Sequence, residues 1–223
     1  MHPIIRKSLL LAGLASAATG AFAAGSADLK ITGTIKPAAC DVTLSGGAVL
    51  DFGDIPANTL KDTAFTNLGN KSVDVSVICG APTKVALAAT DGRSGSNVPG
   101  IGAFLFSNQS DASTYGVGEV DGKKIGAYVL YSDTAPVVDA AAGARLASDN
   151  GGTTWAASAS ASNAMTPTRW HGFGDAGSLV PGQYKTIRQT YKVQLGLNKK
   201  ADLPPLTKDV PINGLATFTI KYL

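Results

Sequence analysis

The chain has 223 residues, 19 Lys and Arg against 16 Asp and Glu, a formal charge of +3, and 44% hydrophobic but only 7% aromatic residues. That balance excludes the basic footprint of a nucleic-acid or anionic-lipid binder, and no run reaches the ~18 consecutive apolar residues of a membrane-spanning helix. Two cysteines and two histidines leave little material for a metal centre or a thiol enzyme.

Arg6 and Lys7, an apolar run from Leu9 to Ala18 and the small residues Ala21 and Ala23 at −3 and −1 predict a cleaved signal peptide over 1–23. Its removal takes two basic residues and no acidic one, so the formal charge falls to +1. The expected product is exported and soluble. Leu29 to Cys40 then reads LKITGTIKPAAC. Leu29, Ile31, Gly33 and Ile35 share one face of a period-2 strand, and Lys30, Thr32 and Thr34 share the other. Such an N-terminal strand, with its own apolar row and a proline stop, could serve another molecule as readily as its own.

Cys40 and Cys79 both follow the signal peptide, and export makes their pairing the default. Strands are predicted over Ala48–Ile55, Ser72–Cys79, Lys84–Thr90, Lys124–Ser132, Thr186–Leu197 and Gly214–Leu223, from alternation and β-branched or aromatic content. Ala140–Leu146 is the one stretch that suggests a helical turn, on alanine content alone. The pattern predicts one antiparallel β-sandwich domain, with Asp91 to Gly182, rich in Gly, Ser, Thr and Ala, read as a loop-rich insertion. At the C-terminus Ala216, Phe218, Ile220 and Tyr222 form an apolar face, and no later strand is expected to cover the free edge.

In this order, the signal peptide, the apolar-x-apolar-x-Gly-x-apolar extension ending in Pro37-Ala38-Ala39-Cys40, Phe52-Gly53, Cys79, the late strand around Tyr191–Leu197 and the penultimate Tyr222 carry a resemblance. The chain resembles the pilin subunits of chaperone–usher fimbriae, and among them the larger subset likened to β-fimbria major subunits. The resemblance implies an incomplete immunoglobulin-like β-sandwich lacking its final strand over 37–223, preceded by a detachable donor strand over 24–36. It implies that Leu29, Ile31 and Ile35 enter a neighbour's groove, that Gly33 fits where the groove is shallow, and that Ala216, Phe218, Ile220 and Tyr222 line the receiving groove. The implied partners are neighbouring fimbrial subunits, a periplasmic chaperone and an outer-membrane usher. The implied location is a fimbrium on the cell surface. A host glycan or surface receptor would bind through the loops between Asp91 and Gly182.

No cofactor, metal or catalytic chemistry is expected. Glu119 is the only glutamate, His171 the only histidine after the signal peptide, and GxSxG, HExxH and CxxC are absent. The competing expectation is a secreted monomeric carbohydrate-binding β-sandwich using Trp155, Trp170 and His171 in surface loops, although packing is the commoner fate of such rings.

Overall fold

The computed structural model describes residues 26–35, 39–107, 109–158 and 164–223. The signal peptide expected over 1–23 lies outside them. The chain divides into two units, 1–36 and 37–223. In the first, residues 26–35 carry no strand or helix and every side chain is exposed.

The second unit is all-β. Its strands are β1 (Cys40–Leu44), β2 (Thr66–Thr83), β3 (Val85–Asp91), β4 (Tyr115–Gly116), β5 (Glu119–Val120), β6 (Lys123–Lys124) and β7 (Gly126–Tyr131). They continue with β8 (Val137–Val138), β9 (Ala141–Ser148), β10 (Ala156–Ala157), β11 (Trp170–Asp175), β12 (Tyr184–Leu197) and β13 (Ala216–Tyr222). One short helix, α1, covers Ile101–Leu105. The main sheet runs β1-β2-β12-β8-β9-β11-β3-β13, with β7 also on β12, β4 on β7 and β10 on β9; β5 and β6 form a separate hairpin. Every pairing is antiparallel, and the sheet curls until its two ends, β1 and β13, almost meet.

The long strands β2 and β12 make the backbone of this sheet. Val73, Val75, Val77 and Cys79 on β2, and Ile187, Tyr191, Val193, Leu195 and Leu197 on β12, are buried on its concave side. Alternation of this kind gives a strand one buried face and therefore one register. Gly126 sits where a Cβ would come 2.2 Å from the Gly196 carbonyl oxygen, so only glycine allows β7 to lie this close to β12. Cys40 and Cys79 are directly opposed on β1 and β2 and joined by a disulfide.

Three expectations are corrected. Ala48–Ile55 forms no strand, because β1 ends in a turn where Gly46 and Gly47 take φ 65 and Ala48 φ 61, and the chain leaves the β2 ladder there. Ala140–Leu146 is not helical: Ala141–Ser148 is β9, whose alternation is concealed by a buried arginine. Arg145 donates to Ser158 Oγ at 3.1 Å, the Thr134 carbonyl at 2.9 Å, the Ser132 carbonyl at 2.8 Å and Gln189 Oε1 at 3.2 Å, so its burial leaves its donors satisfied. Finally, Asp91–Gly182 is less loop-like than expected: besides β7, which the strand predicted over Lys124–Ser132 anticipates, it places β9 and β11 inside the sheet. The small residues of β9 and β11 give those two strands the composition of loops.

Candidate functional site

Where the curled sheet fails to close, a groove of about 1100 Å³ lined mainly by apolar side chains opens in the second unit. One wall is Leu44 and the extended segment after it, with Leu50, Phe52 and Ile55 half-buried. The opposite wall is Ala216 and Phe218 of β13 together with Val210 and Ile212 of the segment before it. Buried Val73, Tyr128, Leu130, Val193 and Leu195 form the floor. The floor is buried, so the apolar surface the groove leaves to water is that of its half-buried walls, unfavourable at about 25 cal/mol per Å².

Among the described residues, no strand pairs with the backbone at either edge of the gap. On β13 the Gly92 N–H donates to the Leu215 carbonyl at 2.8 Å and the Leu223 N–H to the Lys84 carbonyl at 3.1 Å. In an antiparallel ladder these bonds turn the N–H and C=O groups of Thr217, Thr219 and Lys221 towards β3, and those of Ala216, Phe218, Ile220 and Tyr222 towards the open edge. On β1 the Gly80 N–H donates to the Ala39 carbonyl at 2.9 Å, so the groups of Cys40, Val42 and Leu44 face outward. One end of the gap is latched, because the Cys40 N–H donates to the Tyr222 hydroxyl at 3.0 Å. The disulfide sits at this latched end, and it holds the five-residue β1 against β2.

The chemistry of the groove is that of packing. Burial, with the nearby Asp91 carboxylate, pushes the Tyr128 hydroxyl well above its ordinary range, so it stays neutral. Asp51, Asp54, Lys208 and Asp209 stand at the rim. Lys71 donates to the Asp51 carbonyl, and its ammonium lies 5.4 Å from the Phe52 ring centre.

The sequence-predicted residues fall as follows. Ala216 and Phe218 line the groove, Ile220 packs beside it on the core, and Tyr222 is 55% exposed at the latched end. Leu29, Ile31 and Ile35 are 86%, 87% and 100% exposed, and a Cβ on Gly33 would meet nothing within 4 Å. Trp155 is half-buried against Gly172, where a Cβ would lie 2.6 Å from its ring, and Trp170 packs under the Lys221 ammonium at 5.6 Å. His171 is fully buried, with Nδ1 3.0 Å from the Tyr191 hydroxyl and Nε2 without a partner among the described residues, so no solute reaches it. Among the described residues no group of three or more His, Cys, Asp or Glu could hold a metal ion, and no helix is long and apolar enough to cross a membrane.

Sequence reasoning did not assign the wall formed by Leu50, Phe52 and Ile55 to the site. Its signal is the alternation in Ala48–Ile55, which predicts a strand. The wall formed by Val210 and Ile212 had no comparable signal, because Pro211 interrupts it.

Comparison with known proteins touches this same region. Residues 29–129 match a family model described as "Protein of unknown function (DUF1120)". That stretch begins at the first residue of the exposed apolar row and ends within β7. The chain is 29% identical over 138 residues to the uncharacterized protein YhcF of Escherichia coli (strain K12), covering 56% of this chain and 58% of that protein. It is 33% identical over 90 residues to protein GltF of the same organism, covering 38% of this chain and 35% of GltF. The matched stretch thus spans little more than half of one curated relative and about a third of the other.

Proposed function

We propose that this chain is a structural subunit of a surface fimbria. A periplasmic chaperone delivers it to an outer-membrane usher, and it polymerises by donating residues 29–35 to the groove of a neighbouring subunit. In this reading the second unit is an immunoglobulin-like sandwich short of one strand, and the donor completes it. The observation that carries the proposal is the apolar groove between two unpaired strand edges, in a chain that also holds an exposed, alternating seven-residue segment. Addition of a strand to a sheet edge is a general recognition mode, in which main-chain bonds supply affinity and pockets for alternate side chains supply specificity.

Magnitudes support it. Burying Leu29, Ile31 and Ile35 is worth about 1.5–3 kcal/mol each, or roughly 5–9 kcal/mol before main-chain hydrogen bonds are counted. That is comparable to the whole stability of many domains. The exchange therefore needs no catalytic group, cofactor or metal.

The test is surface-sheared material from producing cells, run unheated on a denaturing gel, for the intact chain and for a deletion of Ala24–Lys36 placed after the signal peptide. The expected result is a heat-sensitive ladder that the deletion abolishes. A soluble monomer in both lanes overturns the proposal in favour of a secreted binding module.

A further inference from the structure

Resting on the strand-donation reading, we infer that Lys71 is the positioning residue of the groove. Its ammonium holds the wall formed by Leu50, Phe52 and Ile55 at the rim, so that the groove stands open before a strand arrives.

This wall lacks the support that a strand receives from its neighbours. Among the described residues, no main-chain hydrogen bond joins residues 50–55 to the sheet, and the Gly53 N–H turns back onto Asp51 Oδ1 at 2.7 Å within the segment itself. The polar tie to the sheet comes from Lys71 on β2. Its Nζ donates to the Asp51 carbonyl and lies 5.4 Å from the centre of the Phe52 ring. A single ammonium thus fixes both the backbone at Asp51 and the ring of the residue that follows.

The place of this lysine in β2 explains how it does so. Alternate residues of a strand share a face, and Val73, Val75, Val77 and Cys79 form the buried row on the concave side. The next position in that row is Lys71, which is exposed and stands opposite Val193 of the groove floor. A valine there would extend the core beneath the wall. A lysine does not, because its charge must keep water or a carbonyl in contact while its stem lies along apolar surface. The side chain therefore rises from the edge of the floor to the rim and keeps Asp51 there. Without that strut, Leu50, Phe52 and Ile55, which are only half-buried, gain by moving inward over Val73 and Val193. Such a collapse would have to be reversed each time a strand docks, whereas a wall already in place lowers the cost of binding.

The experiment compares the full chain with Lys71→Met, which keeps the stem and loses the ammonium, and with Lys71→Arg, which keeps the charge, the donors and the ability to lie over a ring. Lys71→Met should reduce the heat-sensitive ladder by about fivefold or more, and Lys71→Arg should retain it to within about twofold. Purified monomer of each chain is then titrated with denaturant. Because the collapsed wall buries apolar surface in exchange for the lost contacts, Lys71→Met should leave the midpoint unchanged. A full ladder from Lys71→Met overturns the inference and leaves strand donation standing. So does a midpoint that falls together with the ladder, or an arginine that fails to retain it, since either makes Lys71 a residue of general stability. No ladder from the unaltered chain overturns strand donation, and the role of Lys71 in it falls too.

Discussion

Leu29–Ile35 and Ala216–Tyr222 are each seven residues long, alternate apolar with polar residues, and have an edge with no strand beside it, yet only the second is a strand. The difference lies in the neighbour. β13 has β3 along its whole length and a core beneath Phe218 and Ile220, whereas residues 26–35 have no ladder partner and their apolar side chains face water. Alternation fits a segment to a half-buried pleated surface, but the surface must be provided. A lone strand in water has no compensation for the backbone entropy lost on ordering it.

That contrast can be broken from the acceptor side first. Replacing both Cys40 and Cys79 by Ser removes the bridge that holds β1, across a sequence separation of 39, and should lower the unfolding free energy by about 4 kcal/mol in a denaturant titration. Phe218→Ala, which strips the half-buried ring from the groove wall and from its contact with Tyr191, should cost about 2 kcal/mol in the same titration.

A pH series sharpens the comparison, because it tests the core under β13 and leaves the donor segment alone. Burial, and then the positive charges of Arg145 and Arg169, hold His171 well below the ordinary histidine value, so the folded chain keeps it neutral. The unfolded chain takes up the proton near pH 6.5, so the full stability is present above that pH and is lost as pH falls through it. The loss should be about 1.4 kcal/mol per pH unit, seen as a falling thermal midpoint below about pH 6.5 that a His171→Gln variant flattens.

The smallest effect on folding belongs to the donor. Ile31→Ala should leave the unfolding free energy within about 0.5 kcal/mol of the unaltered chain, since the side chain is exposed. The same change should visibly weaken the heat-sensitive ladder. A destabilised monomer would mean that Ile31 packs within its own chain.

Much of the domain is legible in the residues. Ser72–Cys79, Lys84–Thr90, Lys124–Ser132, Thr186–Leu197 and Gly214–Leu223 carry enough strand signal to be found as β2, β3, β7, β12 and β13, although β2 runs from Thr66 to Thr83. The centre was hidden because β9 and β11 use glycine, alanine, a buried arginine and a buried histidine where a hydrophobicity reading looks for branched apolar residues. The strand expected over Ala48–Ile55 has the right side chains, but it follows a turn whose positive φ angles carry it off the ladder.

By itself the sequence determined the β character of the chain, the pair of cysteines and the two alternating rows at its ends, because each is a property of residue type and spacing along a few residues. Only the tertiary structure decided that the sheet curls until β1 and β13 face each other across an open groove. It also decided that the backbone groups of Ala216, Phe218, Ile220 and Tyr222 point into that gap. Those are matters of pairing and parity between residues more than a hundred positions apart, and no local pattern encodes which edge of a strand will be left free.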